Sequence, residues 1–139
     1  MSTVEVIANK ISYIQKHLTL ARKYQQYSLA HFLEDVTIKS AVERELYIIA
    51  QAVIDLAEAV VAFKKFRKPT TMREALQILG EEKILPQKFL VDFIKIVGFR
   101  NALAHDYEDL RFEVVYEVLQ KKLSQVIIFL RHIKKALKI

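Results

Sequence analysis

The chain has 139 residues, with 22 Lys and Arg against 16 Asp and Glu, 53% hydrophobic residues, no cysteine, two glycines and two prolines. That length predicts a single domain over residues 1–139 that buries its own core without a disulfide or metal staple. The missing cysteines exclude a disulfide framework, thiolate metal sites and a cysteine nucleophile, and the scarcity of turn residues excludes a β-sandwich, a β-barrel and a glycine-rich phosphate loop. The net charge of +6 is compatible with a polyanionic partner. Met1 to Glu5 shows no basic segment ahead of an apolar one. No apolar run reaches the ~18–20 residues of a membrane span. A cytoplasmic protein without membrane contact is therefore expected.

In chain order, Val4, Ile7, Ile11, Ile14, Leu18 and Ala21 recur at helical spacing, with Ser2 or Thr3 as the cap. A break near Tyr27 and Ser28 and a short piece from Leu29 to Asp35 follow. A long second stripe runs through Ile38, Val42, Leu46, Ile49, Val53, Leu56, Val60 and Phe63. It leads into Lys64, Lys65, Arg67 and Lys68, cations that suit a helix C-terminus, with Pro69 as the stop. Thr70 or Thr71 caps a short helix from Met72 to Leu79 that Gly80 would close. Pro86 opens a helix with the stripe Leu90, Phe93, Val97. The last stripe is Val115, Leu119, Leu123, Val126, Leu130, Ile133 and Leu137, in which Val126 to Leu130 would also suit a strand. The expected fold is an all-α, up-and-down bundle of four principal helices plus one or two short ones.

Chemistry concentrates in Phe99-Arg100-Asn101-Ala102-Leu103-Ala104-His105-Asp106-Tyr107. At 100° per residue, Tyr107 falls about 20° from Arg100, Ala104 about 40°, Asn101 about 100° and His105 about 140°. Polar groups thus take over the side that Phe93 and Val97 hold one turn earlier, and an inward polar group must be paired or costs a few kcal/mol. A frayed helix end, with Arg100 paired to an acid and His105 on terminal carbonyls, is the plain alternative.

Arg100, Asn101, Leu103, His105 and Tyr107 together resemble the signature of the HEPN superfamily, in particular the HepT toxins of minimal-nucleotidyltransferase toxin–antitoxin pairs. Ala41 to Leu46, Gln51 to Ala57, Pro86, Phe89 and Val97 to Asn101 follow the same pattern, so the resemblance covers residues 1–135. The chain departs from it at Asp106, and five acids between 106 and 117 make the surroundings less welcoming to phosphate.

The resemblance implies metal-independent RNA cleavage by a homodimer, with no cofactor. It further implies a cognate minimal nucleotidyltransferase as antitoxin, which attaches AMP to Tyr107. The residue types suit this. His105 can be acid or base near neutral pH, and Arg100 can clamp phosphate oxygens. Asn101 is placed to orient the His105 ring or bind a phosphate oxygen. One His per chain supplies one proton transfer, and a twofold axis would supply the other. The alternatives are a catalytically silent HEPN dimer, serving as nucleotide- or RNA-binding scaffold of the transferase, and a plain helical interaction protein.

Elsewhere, His17, His31 and His132 are scattered, and His31 with Glu34 is a lone HxxE. The basic cluster with Arg73, and the six Lys and Arg without an acid over residues 120–139, are solvated faces or a phosphate-tracking surface. Tyr13, Tyr24, Tyr27 and Tyr47 are expected to pack.

Overall fold

Thr3 starts the first helix, its hydroxyl accepting the Val6 N–H at 3.1 Å. The computed structural model describes residues 3–105 and 110–139. Among them stand eight α-helices, one 3₁₀ turn and no strand. They are α1 (Val4–Arg22), α2 (Leu29–Glu34), α3 (Val36–Phe63), α4 (Met72–Glu81), α5 (Gln87–Phe93), α6 (Ile96–His105), α7 (Phe112–Lys121) and α8 (Leu123–Leu137), with the 3₁₀ turn at Lys23–Gln26. Ser28, Asp35 and Thr71 cap α2, α3 and α4 through their side-chain oxygens. The all-α reading therefore holds, and Val126 to Leu130 is helix.

α3 is the axis of the bundle. It packs on α1, α4, α6 and α7, and Val42, Leu46, Ile49, Val53, Leu56 and Val60 are buried. A narrow strip of Arg44, Tyr47, Gln51, Asp55 and Glu58, at steps of three and four, stays partly open. Between Leu46 and Phe63 only Asp55 and Glu58 are charged. α3 is therefore long and apolar enough to cross a membrane, which corrects the expectation that no run would be. In its most apolar window, 56% is buried among the other helices, as a central helix requires.

Both later stripes are broken where the sequence looked continuous. Ile94 and Lys95 separate α5 from α6, and Lys122 separates α7 from α8. Four principal helices become more elements without a change of core, because the buried residues on each side of a break still face inward. Leu90, Phe93 and Val97 are buried on one side, and Leu119, Leu123 and Val126 on the other.

The helix ends correct the reading at two places. α3 stops at Phe63, before the basic cluster, so those cations do not sit in its last turn. Lys65 takes φ 57°, its N–H bonded to Ala62 O, while Phe66 N–H bonds to Val61 O. That pair of bonds is the Schellman closure, formed here with lysine in the left-handed position that usually goes to glycine. α4 ends likewise, with Lys83 at φ 61°. Gly80 therefore does not close α4. It lies inside the helix, where a Cβ would come 2.5 Å from Leu90 Cδ2, so its role is the close approach of α5.

Candidate functional site

α6 lays its first two turns against α3, and Val97 and Leu103 are its buried anchors. Arg100 lies between them on the same side and is half-buried. Its Nε donates to Gln51 Oε1 at 2.7 Å. Its Nη1 donates to Asn101 Oδ1 at 3.0 Å. The guanidinium carbon stands 5.7 Å from the Tyr47 ring centroid, within cation–π reach. Gln51 is held in turn, its Nε2 donating to Asp55 Oδ1 at 2.9 Å. Among the described residues Nη2 makes no hydrogen bond, so its two N–H groups and the second on Nη1 are available to an oxyanion.

The other expected residues are placed less uniformly. His105 is exposed at the last position of α6. Asn101, expected to orient the His105 ring or bind a phosphate oxygen, turns its side-chain oxygen to Arg100. Ala104 is only half-buried and leaves open space beside Arg100. Tyr107 lies outside the described residues. Gly98 shares the flank of Asn101 and His105, and among the described residues, its own helix backbone and chain neighbours aside, nothing comes within 4 Å of where its Cβ would be. Among the described residues Arg100 pairs with no carboxylate.

Two hollows flank this line. Ile96, Phe99 and Ala102, on the side of α6 away from Asn101 and His105, face an apolar cavity of ≈ 410 Å³ shared with α3, α7 and α8. A more polar cleft between α1 and α3 is lined by Asn9, Lys10, Tyr13, Ala52 and Asp55. It meets the Arg100 cluster at Asp55. Tyr13, expected in core or interface packing, is 48% exposed and lies outside the core, leaning its ring on His17 at 4.6 Å between centroids. His17 is buried and its Nδ1 lies 2.6 Å from Glu45 Oε2, which binds α1 to α3.

The remaining candidates find structural partners. Arg67 pairs with Glu81 and Glu74, at 2.7 and 3.1 Å, which neutralises the centre of a cluster that had no acid in sequence. The paired Arg67 guanidinium is held above its ordinary pKa, the Glu81 hydrogen bond acting most strongly. His31 stacks on Tyr27 and approaches Asp35. Among the described residues no three His, Asp or Glu side chains converge as a metal site would need.

Sequence reasoning missed Gln51, which lies 49 positions from Arg100. The signal was faint but present, since Tyr47, Gln51 and Asp55 follow one another at steps of four along α3.

The family profile described as Ribonuclease HepT-like matches residues 14–133. A tRNA nuclease HepT of Aphanizomenon flos-aquae is 28% identical over 139 residues, covering 99% of this chain and 95% of that protein. An mRNA nuclease HepT of Shewanella oneidensis is 28% identical, covering 94% and 97% respectively. Among solved structures, a tri-AMPylated HEPN toxin of Shewanella oneidensis in complex with its MNT antitoxin superposes with a TM-score of 0.87. It is 26% identical, and the match covers 96% of this chain and 99% of that one.

Proposed function

Since this chain belongs to the ribonuclease HepT-like family, we propose that it is the RNA-cleaving toxin of a toxin–antitoxin pair, held in check by a nucleotidyltransferase. The observation that carries this reading is the Arg100 guanidinium, clamped at Nε and Nη1 with its other N–H groups unbonded among the described residues, on the helix that ends at the exposed His105. Relatives of nearly the same length, described as tRNA and mRNA nucleases, support the substrate class. The solved toxin–antitoxin complex supports the partner.

The chemistry follows from the residue types. The ribose 2′-hydroxyl attacks the adjacent phosphorus, a base takes its proton, the 5′-oxygen leaves with a proton from an acid, and a 2′,3′-cyclic phosphate remains. Charge on the non-bridging oxygens grows in the transition state, where the preorganised N–H groups of Arg100 bind it more strongly than in the ground state. His105 serves one proton transfer. The His105 of a second copy serves the other, which makes the working unit a homodimer. Asn101 supports by holding the guanidinium. No step calls on a metal ion or cofactor.

Cleavage of a structured RNA by the wild-type chain, Arg100→Ala and His105→Ala tests this. Each variant is expected to lose at least about 10²-fold in rate, as for removal of an acid, base or oxyanion donor. The melting temperature of His105→Ala should match wild type, since His105 is exposed. Products should end in a cyclic phosphate, DNA should resist, and excess EDTA should leave the rate unchanged. Cleavage that survives His105→Ala or stops with EDTA overturns the mechanism.

A further inference from the structure

Arg100 is held by a neutral amide, although a carboxylate would hold it more tightly. A carboxylate adds the attraction of an opposite charge, and the guanidinium fork matches it in bidentate fashion. If anchoring α6 to α3 were the only task of this contact, Glu at position 51 would do it better. The acid is instead one turn away. Asp55 accepts from Gln51 Nε2 at 2.9 Å, and Gln51 Oε1 accepts from Arg100 Nε at 2.7 Å. Asp55, Gln51 and Arg100 thus form a line in which the carboxylate and the guanidinium are joined through an amide and do not touch.

We propose that Gln51, oriented by Asp55, is a positioning residue that aims the Arg100 guanidinium at a substrate phosphate while leaving its positive charge undivided. This rests on the reading of Arg100 as the phosphate-binding group. Three features of the line serve that task. An ionised carboxylate is an acceptor only, so Asp55 fixes which end of the Gln51 amide faces it, and the carbonyl must point to Arg100. The carbonyl takes the Nε–H, which pins the plane of the fork and turns the Nη edge outward. Asn101 Oδ1 takes one N–H of Nη1, again without a counter-charge. The Tyr47 ring lies on the same strip of α3 and leaves the cation's charge intact. Among the described residues, the charged groups around the line are Asp55 itself and Glu58 on α3 and, across the cleft on α1, Lys10.

A carboxylate at position 51 would reverse this. Ionised, it would neutralise Arg100, lose the donor to Asp55 and repel that residue. Protonated, it would copy the amide, with a carbonyl oxygen for Arg100 and an O–H for Asp55. Gln51→Glu therefore converts the positioning residue into a titratable one, which a purely structural contact would not reveal. Position matters because a misplacement of about 1 Å in a reacting geometry costs on the order of 10²-fold in rate.

The experiment follows RNA-oligonucleotide cleavage against pH for the full-length wild-type chain, Gln51→Glu, Gln51→Leu, Asp55→Asn and Arg100→Ala, with helicity and melting recorded for each. Gln51→Leu should lose on the order of 10²-fold in kcat. Asp55→Asn, which still accepts a hydrogen bond but no longer dictates the amide's orientation, should lose less. The rate of Gln51→Glu relative to wild type should be highest at acid pH and fall as the introduced carboxyl ionises. Should Gln51→Leu fail to fold, that ratio alone decides. A ratio for Gln51→Glu that is flat with pH, or a folded Gln51→Leu with wild-type rates while Arg100→Ala is inactive, overturns the positioning role and leaves the proposed function standing. A wild-type chain that cleaves no RNA, or an Arg100→Ala chain that still cleaves, overturns the proposed function and this inference with it.

Discussion

Lys122 Nζ lies 2.9 Å from Asp92 Oδ2, and through that contact the break between α7 and α8 is moored to the break between α5 and α6. Gln125 Nε2 reaches the same oxygen at 2.6 Å, and Lys95 stands 3.2 Å from Asp92 Oδ1. One carboxylate thus ties together the start of α6 and the start of α8. The placement of α6 against α3, on which the Arg100 geometry depends, begins at this knot.

Asp92 should make the fold acid-sensitive. The hydrogen bond from Gln125, then those from Lys122 and Lys95, hold its carboxyl far below the ordinary 3.8. A carboxyl depressed in the folded state stabilises fully above its unfolded value, and the contribution is lost as pH falls below that value. Asp92→Ala should cost about 1 kcal/mol at neutral pH. Denaturant melts at about pH 7 and about pH 2.5 should show the gap to wild type closing at the lower pH. An unchanged gap would contradict the assignment.

Lys65 and Lys83 should be replaceable with profit. A side chain in the left-handed region costs about 1–2 kcal/mol, and glycine does not pay it. Part of that gain is lost to the greater freedom of glycine in the unfolded chain. Lys83→Gly, and separately Lys65→Gly, should raise stability by about 0.5–1 kcal/mol, a few degrees in thermal melting. A fall in melting temperature would show that these lysines make contributions beyond their backbone conformation.

The chain should be a dimer in solution. Gly98, Asn101 and His105 share a flank of α6, and no other element among the described residues covers Gly98 within 4 Å. A second copy laid on that flank would bring two His105 rings to one groove. Light scattering should give twice the 16.2 kDa of the chain, and a stable contact should bury at least ~1,200 Å². Gly98→Arg should split the dimer and abolish cleavage together. A mass of one chain at working concentration would refute the two-copy site.

Tyr107 should be the control point of the toxin. A phenol titrates near ~10, too high for a base at neutral pH, but its oxygen can carry an added group. AMP on that oxygen would place phosphate charge where RNA must dock. Coexpressed with a cognate nucleotidyltransferase, the chain should gain mass in AMP units, and Tyr107→Phe should not. Modification that persists in Tyr107→Phe would sink this.

The sequence carried the long-period features well and the pairings poorly. Helical spacing located α1 and α3 because each presents one face to one core, and the capping hydroxyls of Thr3, Ser28 and Thr71 mark helix starts by their chemistry. The breaks at Ile94–Lys95 and at Lys122 left no trace, since apolar spacing continues across both. Lys83 could not be foreseen as a left-handed residue beside a nearby glycine, because the choice was made by the packing of Leu90 against Gly80. Arg100, Asn101 and His105 stood out locally. The partner of Arg100 did not, because α3 meets α6 only once the bundle has closed.

Arg100 and His105 are five residues apart but belong to different mechanical regimes. The acceptor of Arg100 sits on α3, the central helix of the bundle, and buried core helices are the kind of segment that opens least readily. His105 is the last residue of α6, where helix ends fray on far shorter timescales. If Arg100 grips a phosphate as proposed, that phosphate would be referenced to the central helix of the bundle, while the imidazole would keep the freedom to follow a proton from one oxygen to another. Such a division lets one short helix offer both a fixed anchor and a compliant arm.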